Sequence, residues 1–449
     1  MSLLSQFDPE MSEIINNEIN RQRQGLEMIA SENFVSRVVL EAMGTPLTNK
    51  YSEGYHGHRY YRGNQFIDDS ESLAIERAEK LFNVHEGECE PERIMKANVQ
   101  PHAGSQANMA AYMAMAKPGD KIMAMDLAHG GHLTHGSPVN FSGSLFNFVH
   151  YGVEKETHKL DMEKIRTQAK KEKPRIILAG YTAYPREIDF KAFGEIAREV
   201  GAYFMVDMAH IAGLISAGVH TDPIPHADVI TTTTHKTLRG PRGAMILSKI
   251  EDRLQPPSPL IRGERQGGRG VKSKNLAKKV DFAVFPGMQG GPLDHIISAK
   301  AVAFAEALRP EFKEYAKQIV ANAKALAESL TKNNIDLVSG GTDNHLILAD
   351  LTKTGATGKE ASLALEEVDI YVNKNMVPYD TRKPMNPSGI RIGTPALTTR
   401  GFNETEMKEI GKMIADIIHN INDESIKEKT RKRVKEMADA HPLYDGLVV

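Results

Sequence analysis

Between about Ile94 and Leu247 the chain alternates short apolar runs with amphipathic stretches, and this alternation limits the folds open to it. "KIMAMD", "PRIILAGYTA", "AYFMVDMAH", "ADVITTTT" and "GAMILSK" read as strands. "HAGSQANMAAYMAMAKPGD" reads as a helix opened by Gly-Ser and closed at Pro118-Gly119, and "DFKAFGEIAREVG" as a helix ending at Gly201. Strands alternating with helices predict an α/β fold with a mostly parallel sheet covered on both faces. Ligands on such sheets bind at the carboxyl ends of strands, where Asp207 and Lys236 both fall.

The flanks differ. "DPEMSEIINNEINRQRQGLEMIA" predicts a helix with Asp8 as N-cap and Pro9 in its first turn. Its apolar residues are sparse, so it is expected to pack on a neighbour. Residues 253–279 are rich in Pro, Gly, Arg and Lys and read as a loop. Beyond them, "GPLDHIISAKAVAFAEAL" and "EFKEYAKQIVANAKALAESLTKNN" read as long helices. Strands "HLILADL" and "GIRIGTP" and the helix "NETEMKEIGKMIADIIHNIN" complete a second, smaller α/β unit. The expected division is an N-terminal helical arm over 1–55, a large domain over 56–292 and a small domain over 293–449.

With 449 residues, 41% of them hydrophobic, the chain can bury a sizeable core. A formal net charge of −2 gives no global attraction to nucleic acid or anionic membrane. Cys89 is the only cysteine, which excludes an internal disulfide and a cysteine-based zinc site. The N-terminus lacks the basic start and apolar run of a signal peptide, and no apolar run reaches membrane-spanning length. The expectation is a cytoplasmic protein without a membrane or nucleic-acid partner.

"ADVITTTTHKTLRGPRG" sets Lys236 at the end of a β-branched run, with His235, Arg239 and Arg242 placing positive charge around it. Burial among positive groups lowers a lysine pKa and makes the amine nucleophilic. A lysine merely ending an edge strand is the plainer alternative. The four threonine hydroxyls would suit an anionic ligand. Asp207 ends the apolar run "AYFMVD"; a buried aspartate needs a cationic partner, and a pyridinium nitrogen is one. A cap for the following turn is the alternative. Gly104 and Ser105 open a helix whose N-terminus suits a phosphate, although a serine-capped helix reads equally well. In "HGGHLTHG", His129, His132 and His135 recur every third residue. Gly130-Gly131 and the lack of an HExxH pattern count against zinc, and one imidazole stacked on a flat ring fits better. "NKYSEGYHGHRYY" gathers tyrosines around Glu53, a pocket for a flat ligand with a proton-transfer carboxylate. Arg391, inside a short apolar strand, calls for an anion such as a carboxylate, unless it snorkels from an edge.

Taken together, these stretches resemble the serine hydroxymethyltransferase family. "ASENFVS", "NKYSEGYHGHRYY", "NVQPHAGSQAN", "DLAHGGHLTHGSPVNFSG", "VDMAHIAGL", "TTTTHKTLRGPRG", "AVFPGMQGGPL", "DNHLILADL", "VNKNMVPYD" and "SGIRIGTPALTTRGF" follow the family's order across nearly the whole chain. The resemblance implies a pyridoxal-phosphate, aminotransferase-like large domain, a smaller C-terminal α/β domain, and a site shared between two subunits of a homodimer or tetramer. It implies that Lys236 joins the cofactor, Asp207 faces its ring nitrogen, His132 stacks on the ring, and Gly104 and Ser105 hold the phosphate. Thr182, His210, Thr233 and His235 complete the cofactor group, and Gly290 and Gly291 reach it from the partner subunit. Ser31, His210 and Arg391 match the carboxylate-holding group. Glu53, with Tyr51 and Tyr61 beside it, matches the proton-transfer carboxylate, placed across the subunit boundary in the opposite sense to Gly290 and Gly291. Tyr60, Leu127, Leu133, Phe285 and Asn375 match a folate pocket. The implied reaction moves the hydroxymethyl group of serine to tetrahydrofolate, or a related pterin, and leaves glycine; no metal is implied.

The chain departs from the family pattern in places. "YYRGNQ" carries Arg62, Asn64 and Gln65 where "YYGGCE" is usual, Ala103 replaces a serine, Thr182 replaces a serine, and residues 85–95 look inserted. A related enzyme acting on α-methylserine or other β-hydroxyamino acids is the alternative activity. RNA binding by the basic residues Arg262, Arg265, Arg269, Lys272, Lys274, Lys278 and Lys279 is the non-enzymatic one.

Overall fold

The computed structural model describes residues 2–254 and 275–449. These divide into two compact units, one of residues 35–317 and one of residues 1–34 with 318–449. The sequence reading divides the chain after 55 and after 292. The helix Pro310–Lys332 runs through the later of the structural boundaries.

The larger unit is built on a seven-stranded sheet. Its strands are β1 (Lys96–Asn98), β2 (Lys121–Met125), β3 (Asn147–Tyr151), β4 (Ile176–Ala179), β5 (Tyr203–Asp207), β6 (Val229–Thr233) and β7 (Ala244–Ser248), in the order β1-β7-β6-β5-β4-β2-β3. Strands β2 to β6 run parallel, whereas β7 is antiparallel to both β6 and β1. Strands β2, β4 and β5 are near-continuous apolar runs because both faces of the sheet are covered.

On one face, alanines of the helix Gly104–Met115 pack with Ile122, Ile176, Leu178, Met205 and Val229, and with Leu276 and Val280 of the helix Leu276–Phe282. On the other, the helix Phe190–Val200 stacks Phe193 on Phe204 at 6.0 Å. Side chains alternate along a strand, so Asp207 shares the face of Met205, and Thr231 that of Val229. Asp207 and Thr231 are also direct partners across β5 and β6. The apolar layer under the helix Gly104–Met115 therefore ends in a polar strip at the carboxyl ends of the strands.

The smaller unit holds an antiparallel sheet of β8 (Asp336–Leu337), β9 (Leu346–Asp350), β10 (Asn373–Asn375) and β11 (Gly389–Gly393), in the order β8-β9-β11-β10. The helices Gly358–Glu366, Glu404–His419 and Glu424–Ala440 contribute Leu365, Ile414 and Val434 to its core. The N-terminal helix Pro9–Gln24 begins as the sequence predicts, with the Asp8 carboxylate accepting the Met11 N–H at 3.0 Å. It packs on the chain's end: the Ser12 hydroxyl and the Asn16 amide donate to Val449, and Arg23 donates to the carbonyls of Leu443, Tyr444 and Leu447.

Candidate active site

In the larger unit the site grows from the ends of β5 and β6. Lys236 follows β6 and is 9% exposed. Strand β6 lies between β5 and β7, so the lysine does not end an edge strand. The loop after it is tied down at both ends. The Thr234 N–H donates to the Gly243 carbonyl at 3.0 Å, and the Thr237 hydroxyl donates to the His210 carbonyl at 2.9 Å. The threonine run differs from expectation. The hydroxyls of Thr231, Thr232, Thr233 and Thr234 donate to Asn108 and to the carbonyls of Thr233, Ala209 and Pro241, so their hydrogens are used within the protein.

The positive frame around Lys236 is also thinner than the sequence implies. Burial, with the charges of Lys236 and Arg242, pushes His235 down to about 3, so its imidazole is neutral at pH 7. The Arg239 guanidinium lies 4.4 Å over the Tyr315 ring. The His235 Nδ1 is buried without a partner among the described residues.

Asp207 serves two purposes. Its Oδ1 accepts the Ala209 N–H at 3.1 Å, which caps the following turn. Its Oδ2 accepts from Asn108 Nδ2 at 2.9 Å and from His135 Nε2 at 3.2 Å. Burial opposes its charge, but the hydrogen bond from His135, followed by the electrostatic influence of His135, His132 and Lys236, holds the carboxyl well below the usual carboxylate range. It is an anion held in place by these contacts, with 11% of its side chain exposed. Gly180 makes room for it: its φ is +109°, and a Cβ there would lie 1.9 Å from the Asp207 carbonyl oxygen.

The helix Gly104–Met115 starts behind Ala103, which offers no side-chain cap. Its first-turn N–H groups thus keep their anion-binding character. A Cβ on Gly104 would approach Thr233 Cγ2 to 2.8 Å, so glycine lets this helix end close against β6. His132 takes hydrogen bonds at Nδ1 from the Thr134 hydroxyl at 2.7 Å and the Thr134 N–H at 3.2 Å. The Thr182 hydroxyl donates to the Gly131 carbonyl at 2.7 Å and so holds the histidine loop. Leu127 and Leu133 are 44% and 48% exposed. His132, His135 and Asp207 offer ligand atoms within 4.8 Å of one another; the hydrogen bonds just given account for their approach.

A second cluster gathers the tyrosine loop. Tyr51 and Tyr61 meet edge to face at 5.0 Å, and Tyr60 meets Phe285 at 5.7 Å. A Cβ on Gly290 would lie 3.0 Å from Glu53 Oε1, and one on Gly291 3.4 Å from Tyr51 Cε1. Glu53 and the glycine pair thus occupy one patch of one chain. The resemblance implies that the two cross a subunit boundary in opposite senses; within one chain they are neighbours. Asn64 donates to the Tyr61 carbonyl at 2.9 Å, and Arg62 and Gln65 are exposed.

In the smaller unit, Arg391 lies on β11 between β9 and β10, which excludes an edge position. It is 9% exposed, and burial pushes it down to about 10. Its Nε donates to Asn373 at 3.0 Å and its Nη2 to Ser31 Oγ at 3.4 Å. The Asn375 amide donates to the Met376 carbonyl. Most of the basic stretch proposed for RNA lies outside the described residues. Within them, Lys279 is buried and donates to Asp252.

Sequence reasoning missed Asn108 and Thr134, and named His135 without giving it a role. A legible signal existed for the first: an asparagine, a poor helix former, on the buried face of an alanine-rich helix. The residues present fit pyridoxal phosphate on two counts, the uncapped helix end at Gly104 for an anion and the buried Asp207 anion for a ring cation. No helix among the described residues is long and apolar enough to cross a membrane. A family model described as serine hydroxymethyltransferase matches residues 4–414. The match spans most of the chain, and the protein belongs to the serine hydroxymethyltransferase family of pyridoxal-phosphate-dependent transferases.

Proposed function

We propose that the protein transfers the hydroxymethyl group of serine to tetrahydrofolate, or a related pterin, reversibly and with glycine as the other product. The observation that carries this reading is the juxtaposition of Lys236, the buried Asp207 and the Gly104 helix end on β5, β6 and the helix that covers them. Pyridoxal phosphate bound there supplies an electron sink for breaking a bond at the amino-acid α-carbon.

The chain's own residues do the rest. Lys236 supplies the amine that holds the cofactor and is displaced by substrate. Asp207 keeps a proton on the ring nitrogen by its charge. Gly104 and Ser105 bind the phosphate through the helix end, while His132 and Thr182 orient the ring, with His210, Thr233 and His235 around it. Arg391 and Ser31 take the substrate carboxylate, a pairing suited to a guanidinium. Glu53 moves the proton at the hydroxymethyl oxygen, with Tyr51 and Tyr61 excluding water. Tyr60, Leu127, Leu133, Phe285 and Asn375 form the pterin surface. The exposed Tyr51, Tyr60 and Tyr61 are covered by a second copy of the chain, whose patch, with Gly290 and Gly291, completes the site.

The test is chemical labelling. Protein loaded with pyridoxal phosphate and reduced with borohydride is digested and mapped by mass. The reading expects the pyridoxyl mass on the peptide containing Lys236; a label on another lysine overturns it.

A further inference from the structure

Asn108 sits one turn into the helix Gly104–Met115, 1% exposed, with its whole side chain in use. Its Oδ1 accepts from the Thr231 hydroxyl. Its Nδ2 donates both to Asp207 Oδ2 at 2.9 Å and to Thr134 Oγ1 at 2.8 Å. Both amide hydrogens and the carbonyl are satisfied, so the amide orientation is fixed by its partners.

The Thr134 hydroxyl accepts from Asn108, which leaves its own hydrogen to donate, and the partner within reach is His132 Nδ1 at 2.7 Å. The backbone N–H of Thr134 points at the same nitrogen from 3.2 Å. A backbone N–H cannot reverse its role. His132 Nδ1 is therefore an acceptor, and the ring proton belongs on Nε2. His135 is fixed in the same way: the His132 N–H donates to its Nδ1 at 3.2 Å, so its Nε2–H donates to Asp207.

We propose that Asn108 and Thr134 are positioning residues that tie the Asp207 carboxylate and the His132 imidazole into one unit, with Thr134 holding His132 neutral in its Nε2–H form. The proposal rests on the cofactor reading above for its purpose: the group under the ring nitrogen and the group stacked on the ring are set by one amide. It rests on geometry alone for the tautomer. A neutral imidazole on the ring leaves Asp207 as the charge that the cofactor senses, since a cation stacked there would compete with a protonated ring nitrogen.

The experiment reads the tautomer-sensitive Cδ2 carbon signal of His132 in pyridoxal-phosphate-loaded protein labelled at that carbon, with His132→Gln identifying the signal. In wild type, the Nε2–H signature is expected at about pH 8, above the range in which an ordinary imidazole titrates. Thr134→Val keeps the volume, removes the hydroxyl and leaves only the longer backbone contact of 3.2 Å on Nδ1; its signal is expected to show a larger share of the other tautomer or the cation, and Thr134→Ser to restore it. Asn108→Ala is expected to move the same signal without touching His132, and to weaken cofactor binding by about tenfold, the effect of one lost hydrogen bond to a charge. An unmoved His132 signal in Thr134→Val overturns the proposal. So does a normal His132 signal in a folded Asn108→Ala protein, which would make Asn108 a partner of Asp207 alone. If Asn108→Ala does not fold, the isosteric Thr134 pair decides. Failure of wild type to bind pyridoxal phosphate would sink the cofactor reading, while the histidine signal would still decide the tautomer.

Discussion

Arg391 illustrates how one residue is specified by burial and charge. Its guanidinium sits on an interior strand and donates to Asn373 and Ser31, and the proposed function gives it the substrate carboxylate. Arg391→Ala is expected to raise the serine KM in line with a loss of roughly 2–5 kcal/mol, with cofactor binding retained. An unchanged serine KM would remove Arg391 from the carboxylate group. His235 yields a prediction of opposite character. Its folded-state pKa of about 3 lies below that of an unfolded histidine near 6.5, so the unfolded chain binds more protons between these values. Stability therefore falls as pH drops from about 6.5 towards 3, and His235→Gln is expected to flatten that slope. Urea unfolding at stepped pH checks this; equal slopes in both proteins would contradict it.

At the scale of elements, the helix Asp294–Ala307 supports the site from behind. Lys300 donates to the carbonyls of Val99 at 2.7 Å, Pro101 at 3.1 Å and Ala244 at 2.8 Å, joining the chain after β1 to the start of β7. A Cβ on Gly243 would lie 2.5 Å from Lys300 Cε, which explains the last glycine of "TLRGPRG". Lys300→Met takes the ammonium from all three buried carbonyls, of which Pro101 keeps the Ala244 N–H at 3.2 Å, and is expected to cost about 3 kcal/mol in urea unfolding. A loss under about 0.5 kcal/mol would show that these carbonyls find other donors.

The sequence was legible where strands are apolar runs, as in β2, β4 and β5, and where caps are explicit, as at Asp8. Strands β1 and β3, short and partly polar at the sheet edges, carried no such signal. The antiparallel course of β7 was readable but missed. Only residues 234–243 separate it from β6, too few for a parallel crossover. Of the site, the strand-end residues Asp207 and Lys236 were legible because strand ends are where such sheets bind ligands. The Asn108–Thr134 link was not, since it depends on which side chains a helix brings over a particular pair of strands. The uses of the threonine hydroxyls and the neutrality of His235 were hidden for the same reason: burial and hydrogen bonding are properties of the fold.

At the scale of the molecule, the patch of Tyr51, Glu53, Gly290 and Gly291 makes assembly testable. If this patch serves a second copy's site, mixing Glu53→Gln with Lys236→Ala chains under subunit exchange produces hybrids with one intact site each. Random pairing makes about half the dimers hybrid, so activity is expected to recover to about one quarter of wild type. No recovery despite proven exchange would place the whole site in one chain. The reaction itself is tested most directly by glycine formation from serine, with pyridoxal-phosphate-loaded protein, in the presence and absence of tetrahydrofolate. The account predicts rapid glycine formation that requires the folate and falls by several orders of magnitude in Lys236→Ala. Equal rates without folate, or near-normal turnover by Lys236→Ala, would contradict it.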